Sequence, residues 1–376
     1  MSLENDGSLR GLLSINNRIF AIKFSVMADF YKLTVKEIKR ETPDAISVVF
    51  NIPTELVAFY KFTAGQYVNL KLTLDGQEVR RAYSICSSPN SGELRISIKA
   101  IQNGFFSTFA NKQLAVGNII EVGTPEGRFT FEPKPDNRKT YGAFVAGSGI
   151  TPVMSILQNV LEEEPESTFV LVYGNKTPES TIFFDKLNEL HDKYIGRFFL
   201  YYVFSQTKLD GHLFGRVERS TVNFVLKNKH KEVEFENFYL CGPNEMISQV
   251  KDILKDNNIP ENRIKFELFT TSETENKIEQ NLDGQCKVTV LLDDEETTFY
   301  IPNDTVILDA VLKQGLDAPY SCQGGICSSC IAKITHGSAQ MKKNAILTEG
   351  EIADGFVLTC QAVPTSSEVY VDYDEV

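Results

Sequence analysis

Between residues 30 and 134 the apolar positions fall in short bursts that alternate with polar ones or are rich in β-branched side chains, over 33–35, 45–50, 67–72 and 94–99. Turn pairs such as Asp75-Gly76 and the run Asn90-Ser91-Gly92 separate them. Many short strands with regular turns predict an antiparallel β-barrel, joined by one helix over 107–114. From about residue 138 the rhythm changes. Apolar runs at 141–146, 169–173, 198–204 and 238–240 alternate with helix-period stretches at 152–162 and 244–256. That alternation predicts an α/β domain on a parallel sheet. Residues 271–284 are polar and read as a linker. Beyond them a hairpin, 287–292 with 297–301, and a short helix over 306–314 lead into a cysteine-rich loop. The expected organisation is multidomain α+β: an extension over 1–26, a barrel over 27–134, a parallel-sheet domain over 135–270, the linker 271–284 and a last domain over 285–376.

Composition narrows the setting. A chain of 376 residues is too long for one ordinary core, and 42 % hydrophobic with 23 % charged residues is globular. No apolar run approaches the roughly 18 residues of a membrane span, so no membrane partner is expected. Asn16, Asn17, Arg18 and Lys23 break up the apolar stretch near the start, which therefore does not read as a signal peptide. Seven cysteines without such a leader argue against a disulfide framework and for a reducing cytoplasm. A net charge of −12 argues against nucleic acid as a partner. The charge is uneven: residues 285–376 hold 14 Asp and Glu against 5 Lys and Arg, a net −9, leaving −3 for the other 284. Such a field is suited to steering the last domain onto a basic surface.

The chemistry-bearing residues follow that division. Cys322, Cys327 and Cys330 stand in C-x4-C-x2-C spacing, with Cys360 beyond. This is the plant-type pattern for a [2Fe–2S] cluster, which carries one electron at a time. Gly324 and Gly325 let the backbone wrap closely, and Ser328 and Ser329 fill the shorter gap. Cys327 and Cys330 alone would equally suit structural zinc; the four-residue spacing with two glycines argues for the cluster. In the barrel, Arg81-Ala82-Tyr83-Ser84 offers a phosphate clamp, a flat ring and a hydroxyl, though a surface Arg and a core Tyr would look the same. Asn103 to Thr108 opens a helix whose N–H groups, with the Ser107 and Thr108 hydroxyls, suit a pyrophosphate; Ser107 as a plain N-cap is the simpler alternative. Gly147-Ser148-Gly149-Ile150-Thr151-Pro152 follows a buried strand and opens a helix, another phosphate position, with Pro where the dinucleotide fingerprint has its third Gly. Tyr173-Gly174-Asn175-Lys176 and Cys241-Gly242-Pro243 end later strands, where ligands of such sheets bind; Cys241 reads equally as a small buried hydrophobe.

Cys322-Gln-Gly-Gly-Ile-Cys327-Ser-Ser-Cys330, with Leu358-Thr359-Cys360-Gln361, resembles the plant-type ferredoxins over residues 285–376, which implies a β-grasp fold. In that context the upstream motifs resemble the ferredoxin–NADP reductase superfamily. The resemblance implies FAD in the barrel, with Arg81 on its phosphate, Tyr83 stacked on the isoalloxazine and Ser84 near its reactive nitrogen. Ala82, Ile98, Lys99, Gly104, Ser107 and Thr108 complete that set. It implies a nicotinamide nucleotide on Gly147, Gly149, Thr151, Pro152, Gly242 and Pro243, with the Cys241 thiol beside the nicotinamide. Glu267 and Phe269 resemble the segment that closes on the flavin, so Ser84, Cys241 and Glu267 are the implied catalytic group. The turn over 123–129 matches the one that closes the family's barrel and is assigned structure only. Lys176, Ser205 and Gln206 are candidates for a 2′-phosphate, which favours NADPH over NADH. The domain order resembles reductase components of multicomponent oxygenases, and over 27–376 the reductase-subunit family of phenylacetyl-CoA epoxidase. The implied activity is electron transfer from NAD(P)H through FAD and a [2Fe–2S] cluster to an oxygenase component, the di-iron oxygenase of phenylacetate catabolism. An FMN-dependent reductase of a ring-hydroxylating dioxygenase, and a redox sensor or scaffold, remain as alternatives.

Overall fold

A computed structural model describes residues 30–102, 104–269 and 284–376. The expected extension over 1–26, and the linker apart from Gly284, lie outside the described residues. The first sheet contains β1 (Phe30–Thr42), β2 (Ala45–Asn51), β3 (Tyr67–Leu74), β4 (Gln77–Ser84), β5 (Leu94–Lys99) and β6 (Ile119–Gly123). Their order is β4-β3-β6-β1-β2-β5, every pairing antiparallel. A bridge from Ile85 to Ile96 brings the end of β4 onto β5 and curls the sheet toward closure. Alternate residues, among them Leu33, Val48, Val68, Leu70 and Ile96, fill the interior. Helix α1 (Phe105–Gln113) adds Phe106 and Ala110 to it. This helix begins two residues ahead of the predicted start. Gly104 takes the cap position, and Ser107 turns its hydroxyl back onto the Gly104 carbonyl at 3.4 Å.

The second sheet is parallel. Its elements are β7 (Thr140–Ala146), α2 (Ile150–Glu163), β8 (Thr168–Asn175), α3 (Phe184–Lys193), β9 (Phe198–Phe204), β10 (Leu213–Phe214), α4 (Arg219–Asn223), β11 (Phe235–Gly242), α5 (Asn244–Asp256) and β12 (Ile264–Leu268). The strand order is β10-β9-β8-β7-β11-β12. Apolar clusters lie on both faces, which is why the strands read as near-continuous apolar runs. Strand order reverses at β7, between β8 and β11, and that switch opens a crevice at the strand C-termini. Barrel and parallel sheet share a core: Ala64, Cys86, Phe129 and Phe131 pack with α2 and its strands. Ser155 donates to the Ser87 carbonyl at 2.7 Å and Gln158 to that of Cys86 at 3.1 Å.

The third unit contains β13 (Gln285–Leu292), β14 (Glu295–Pro302), α6 (Ile307–Lys313), β15 (Ile331–His336), β16 (Ala339–Met341), α7 (Glu349–Ala353), β17 (Phe356–Leu358), β18 (Ala362–Pro364) and β19 (Glu368–Asp372). Its mixed sheet runs β14-β13-β19-β15-β17 beside the small pair β16-β18, with α6 against the apolar face. This is the expected β-grasp arrangement. No helix among the described residues is long and apolar enough to cross a membrane, and all seven cysteines are free.

Candidate active site and cluster loop

The end of β4 and the end of β12 meet where barrel and parallel sheet join. The Ser84 hydroxyl, 4 % exposed, donates to the Glu267 carboxylate at 3.3 Å. Glu267 pairs in register with Cys241 across β11 and β12, so the three residues expected to act together form one group. Burial pushes the Glu267 carboxyl up to about 8, against the opposing pull of the Ser84 hydrogen bond. Near neutral pH it therefore holds its proton and can donate a hydrogen bond. Burial raises the Cys241 thiol well above its ordinary range, and the Glu267 charge adds to that. Cys241 is wholly enclosed, so it is a neutral thiol.

Around this group the barrel presents Arg81 with its guanidinium exposed, one nitrogen donating to the Arg80 carbonyl at 2.7 Å. The Tyr83 ring packs 5.6 Å from that of Phe106 at the start of α1. Ala82 lies on the same strand, paired with Asn69. Lys99 faces Asp44 at 3.6 Å. Ile98 has its side chain inside the barrel, and its carbonyl accepts from Asn111 at 3.0 Å. Gly104, Ser107 and Thr108 form the start of α1, which has no side-chain cap, leaving first-turn N–H groups open to a phosphate.

Across the cleft, a short turn over Gly147–Gly149 runs into α2, again without a side-chain cap. Thr151 donates to the Ser148 carbonyl at 3.0 Å, and Pro152 sits in the first turn. Gly149 cannot carry a side chain: a Cβ there would lie 2.2 Å from the Cys241 carbonyl oxygen. The glycine turn is thus pressed directly on Cys241-Gly242-Pro243 at the switch point. Tyr173, absent from the expected set, supports the turn by donating to the Gly147 carbonyl at 2.9 Å. Its sequence signal is its place next to Gly174 at the end of β8. The loops after β8 and β9 are tied by Ser205 N–H to the Asn175 carbonyl and Gln206 N–H to that of Lys176, both at 3.0 Å. Lys176, Ser205 and Gln206 therefore share one patch, with Lys176 exposed.

The cysteine loop brings its four thiols together. Cys322 is drawn toward the thiolate by hydrogen bonds from Cys327 and Cys360 and by backbone N–H groups, including that of Gly324 at 3.3 Å. Cys360 is likewise bonded to Cys322 and Cys330. Cys327, Cys330 and Cys360 are buried, while Cys322 stands at the open edge. Four sulfurs shared two to an iron suit a binuclear cluster. Gly325 has φ +73°, and a Cβ there would meet the Lys343 carbonyl oxygen at 2.9 Å, so this position needs glycine.

One set of contacts has no signal in the sequence pattern. Ser328 and Ser329 of the cysteine loop touch the barrel: the Tyr67 hydroxyl lies 3.3 and 3.0 Å from their hydroxyls. Asn69 reaches Ser329 at 3.2 Å and also donates to Glu126, which accepts from Tyr67 at 3.4 Å. Glu126 and Arg128 belong to the turn assigned to barrel closure alone. Both reach the last domain, Arg128 pairing with Glu351. Residues some 260 positions apart meet here, which no local periodicity encodes.

Residues 32–131 match the oxidoreductase FAD-binding domain family, 144–252 the oxidoreductase NAD-binding domain family, and 284–365 the 2Fe-2S iron-sulfur cluster binding domain family. The chain is 40 % identical to a subunit of the 1,2-phenylacetyl-CoA epoxidase of Escherichia coli (strain K12), over 93 % of this chain and 99 % of that one. The chain belongs to that family. It is also 32 % identical to the ferredoxin reductase component of a 3-ketosteroid-9-alpha-monooxygenase from Mycolicibacterium smegmatis, over 92 % of this chain and 97 % of that one. Its fold resembles phthalate dioxygenase reductase, with a TM-score of 0.57 at 23 % identity, covering 91 % of this chain and 98 % of that one. Family membership makes the chain an NAD(P)H-dependent oxidoreductase with sites for FAD and a [2Fe–2S] cluster, an electron-transfer component. The donor sets described above fit those groups.

Proposed function

We propose that this family member delivers electrons from NADPH to the oxygenase component of a phenylacetyl-CoA epoxidase in a reducing cytoplasm. The observation that carries the reading is the Ser84–Glu267 hydrogen bond, which joins flavin barrel and nucleotide domain at the point where Cys241 lies. The relative from Escherichia coli supports the choice of oxygenase. When bound, the nicotinamide supplies a hydride to the flavin, and the cluster passes the electrons on singly. The chain does the positioning. Arg81 and the start of α1 hold the flavin phosphates, and Tyr83 lies against its ring. Gly147, Gly149 and the start of α2 seat the nucleotide pyrophosphate beside Gly242 and Pro243. Ser84 donates its hydroxyl to one oxygen of Glu267, and the protonated Glu267 keeps its own proton to offer at the reacting edge, where the buried Cys241 thiol would back the nicotinamide. Lys176, Ser205 and Gln206 hold the 2′-phosphate.

An anaerobic titration of the holoprotein with NADPH and with NADH, followed optically, tests this. The flavin and cluster bands should bleach in turn, at lower concentration with NADPH, and Lys176→Ala should erase the difference. Equal response to both donors removes the NADPH assignment. Transfer of electrons to the purified epoxidase oxygenase, against none to an unrelated dioxygenase, tests the partner.

A further inference from the structure

The cluster loop does not merely lie near the flavin barrel; it is seated on one face of it. We propose that Tyr67, Asn69 and Glu126 form a docking seat that fixes the cysteine loop for electron transfer from the flavin, making them positioning residues for that step. The inference rests on the functional reading above.

Three observations carry it. The first is register. Tyr67 pairs directly with Ser84 across β3 and β4, and Asn69 pairs with Ala82. Paired residues point to the same face, and neighbouring strands lie only about 4.8 Å apart. The residues touching the cysteine loop are therefore one strand away from the serine of the flavin site. The second is burial of polar groups. Tyr67 is 5 % exposed, Asn69 1 % and Ser329 7 %, although all three carry polar atoms. A barrel built only to close on itself would place apolar residues there; buried polar groups are kept where each has a partner of fixed geometry. Here the Tyr67 hydroxyl and the Asn69 amide nitrogen find partners in the other domain at 3.0 to 3.3 Å as well as in Glu126 of their own, while the Asn69 amide oxygen is buried without one. Gly127 lets the turn carrying Glu126 lie against the Tyr67 ring, where a Cβ would come within 2.9 Å.

The third observation is a clamp beside the seat. Arg80, on β4 two residues before Ala82, is 8 % exposed and pairs with Asp317 of the last domain at 3.3 Å. Its guanidinium lies 4.3 Å from the Tyr320 ring centroid. Tyr320 in turn donates to Glu78 at 3.3 Å. The crevice between clamp and seat encloses about 20 Å³, room for a single water. Seat and clamp occupy alternate positions on one strand pair, so they hold the loop in one orientation. In each transfer one electron would leave the reduced flavin and one ferric iron would become ferrous, with no bond formed between the two groups and the flavin's proton released to solvent once both electrons have gone; these residues would act by placement alone.

The test uses the full-length holoprotein carrying Tyr67→Phe, which removes the hydroxyl and keeps the ring, and separately Asp317→Asn, which releases the clamp. Stopped-flow resolves flavin reduction by NADPH from cluster reduction by the flavin. Hydrogen exchange over residues 326–331 reports docking independently of turnover. Each variant should leave flavin reduction unchanged, slow cluster reduction about three- to tenfold, the scale of one missing hydrogen bond, and raise exchange in the loop. Normal cluster reduction with normal exchange in either variant overturns the seat. If Tyr67→Phe fails to assemble its cluster, Asp317→Asn, whose carboxylate pairs with Arg80 of the barrel, decides alone. Failure of NADPH to reduce the flavin in the unaltered protein would instead strike the functional reading and leave a distinct signature.

Discussion

Glu267 is a carboxyl held where ionisation is costly, and its behaviour can be worked out from that fact. Burial raises it from the ordinary 4.5 to about 8. The folded state binds the proton more tightly than the unfolded one. Its contribution to stability is complete below about pH 4.5 and is lost as pH climbs from there to about 8. Flavin reduction that uses the protonated form should fall with the same upper limit, near pH 8. Glu267→Gln keeps a donor that cannot titrate, so its rate should be flat across roughly pH 6 to 9, the span around that limit. A slope matching the unaltered protein would exclude Glu267 as the titrating group. Cys241, sharing the ladder with Glu267, allows a companion test. Cys241→Ala should slow flavin reduction about tenfold, the scale of one polar interaction removed from the transition state, with nucleotide affinity nearly constant. Unchanged stopped-flow traces would leave Cys241 as packing only.

At the scale of elements, the turn from β7 into α2 shows how a motif becomes geometry. Its second glycine exists because the Cys241 carbonyl oxygen occupies the place of a Cβ. Gly149→Ala must push β11 and α2 apart, an overpacking cost of about 1–3 kcal/mol. The measurable result should be a thermal midpoint several degrees lower and weaker nucleotide binding, while the cluster spectrum stays intact. This turn, the barrel strands and the cysteine loop are legible in the sequence because local pattern and local chemistry coincide there: apolar runs set β7 and β11, and glycine and cysteine spacing set the turns. The start of α1 lies two residues ahead of the pattern's because Ser107 looks like a cap but bonds back from inside the helix. The helical turn continuing α4 over Phe224–Lys229 has π geometry, which leaves no periodic signature of its own. The seat of Tyr67, Asn69 and Glu126 is hidden for another reason: its partners lie in a different domain, and each residue is ordinary in its own strand or turn.

Across the whole molecule, charge and placement separate input from output. The flavin and nucleotide domains form one block through a shared core, and the cluster loop docks on the barrel face of that block. Three cluster cysteines are buried, and the half-buried Cys322 marks the more open edge of the cysteine loop. The domain presenting that edge carries 14 acidic against 5 basic residues, including the exposed run Asp293-Asp294-Glu295-Glu296 at the β13–β14 turn. Within the chain Ser329 meets Tyr67 through neutral hydroxyls, and of the acidic residues Asp317 and Glu351 pair with Arg80 and Arg128 of the barrel, which leaves the run over 293–296 outside that contact. An acidic output domain instead accelerates encounter with a basic partner surface, an effect carried by long-range attraction. Salt shortens that range from about 10 Å at 0.1 M to about 3 Å at 1 M. Electron delivery to the oxygenase should therefore drop about tenfold or more over that interval, through association rate rather than complex lifetime. Flavin-to-cluster transfer within the chain should change less under the same conditions, because Tyr67, Asn69 and Ser329 are buried and salt can screen only the exposed Asp317 side of the clamp. Stopped-flow of both steps at several salt concentrations checks the pair of expectations. A salt-independent delivery rate would place recognition in apolar contacts around the Cys322 edge instead of in the acidic field.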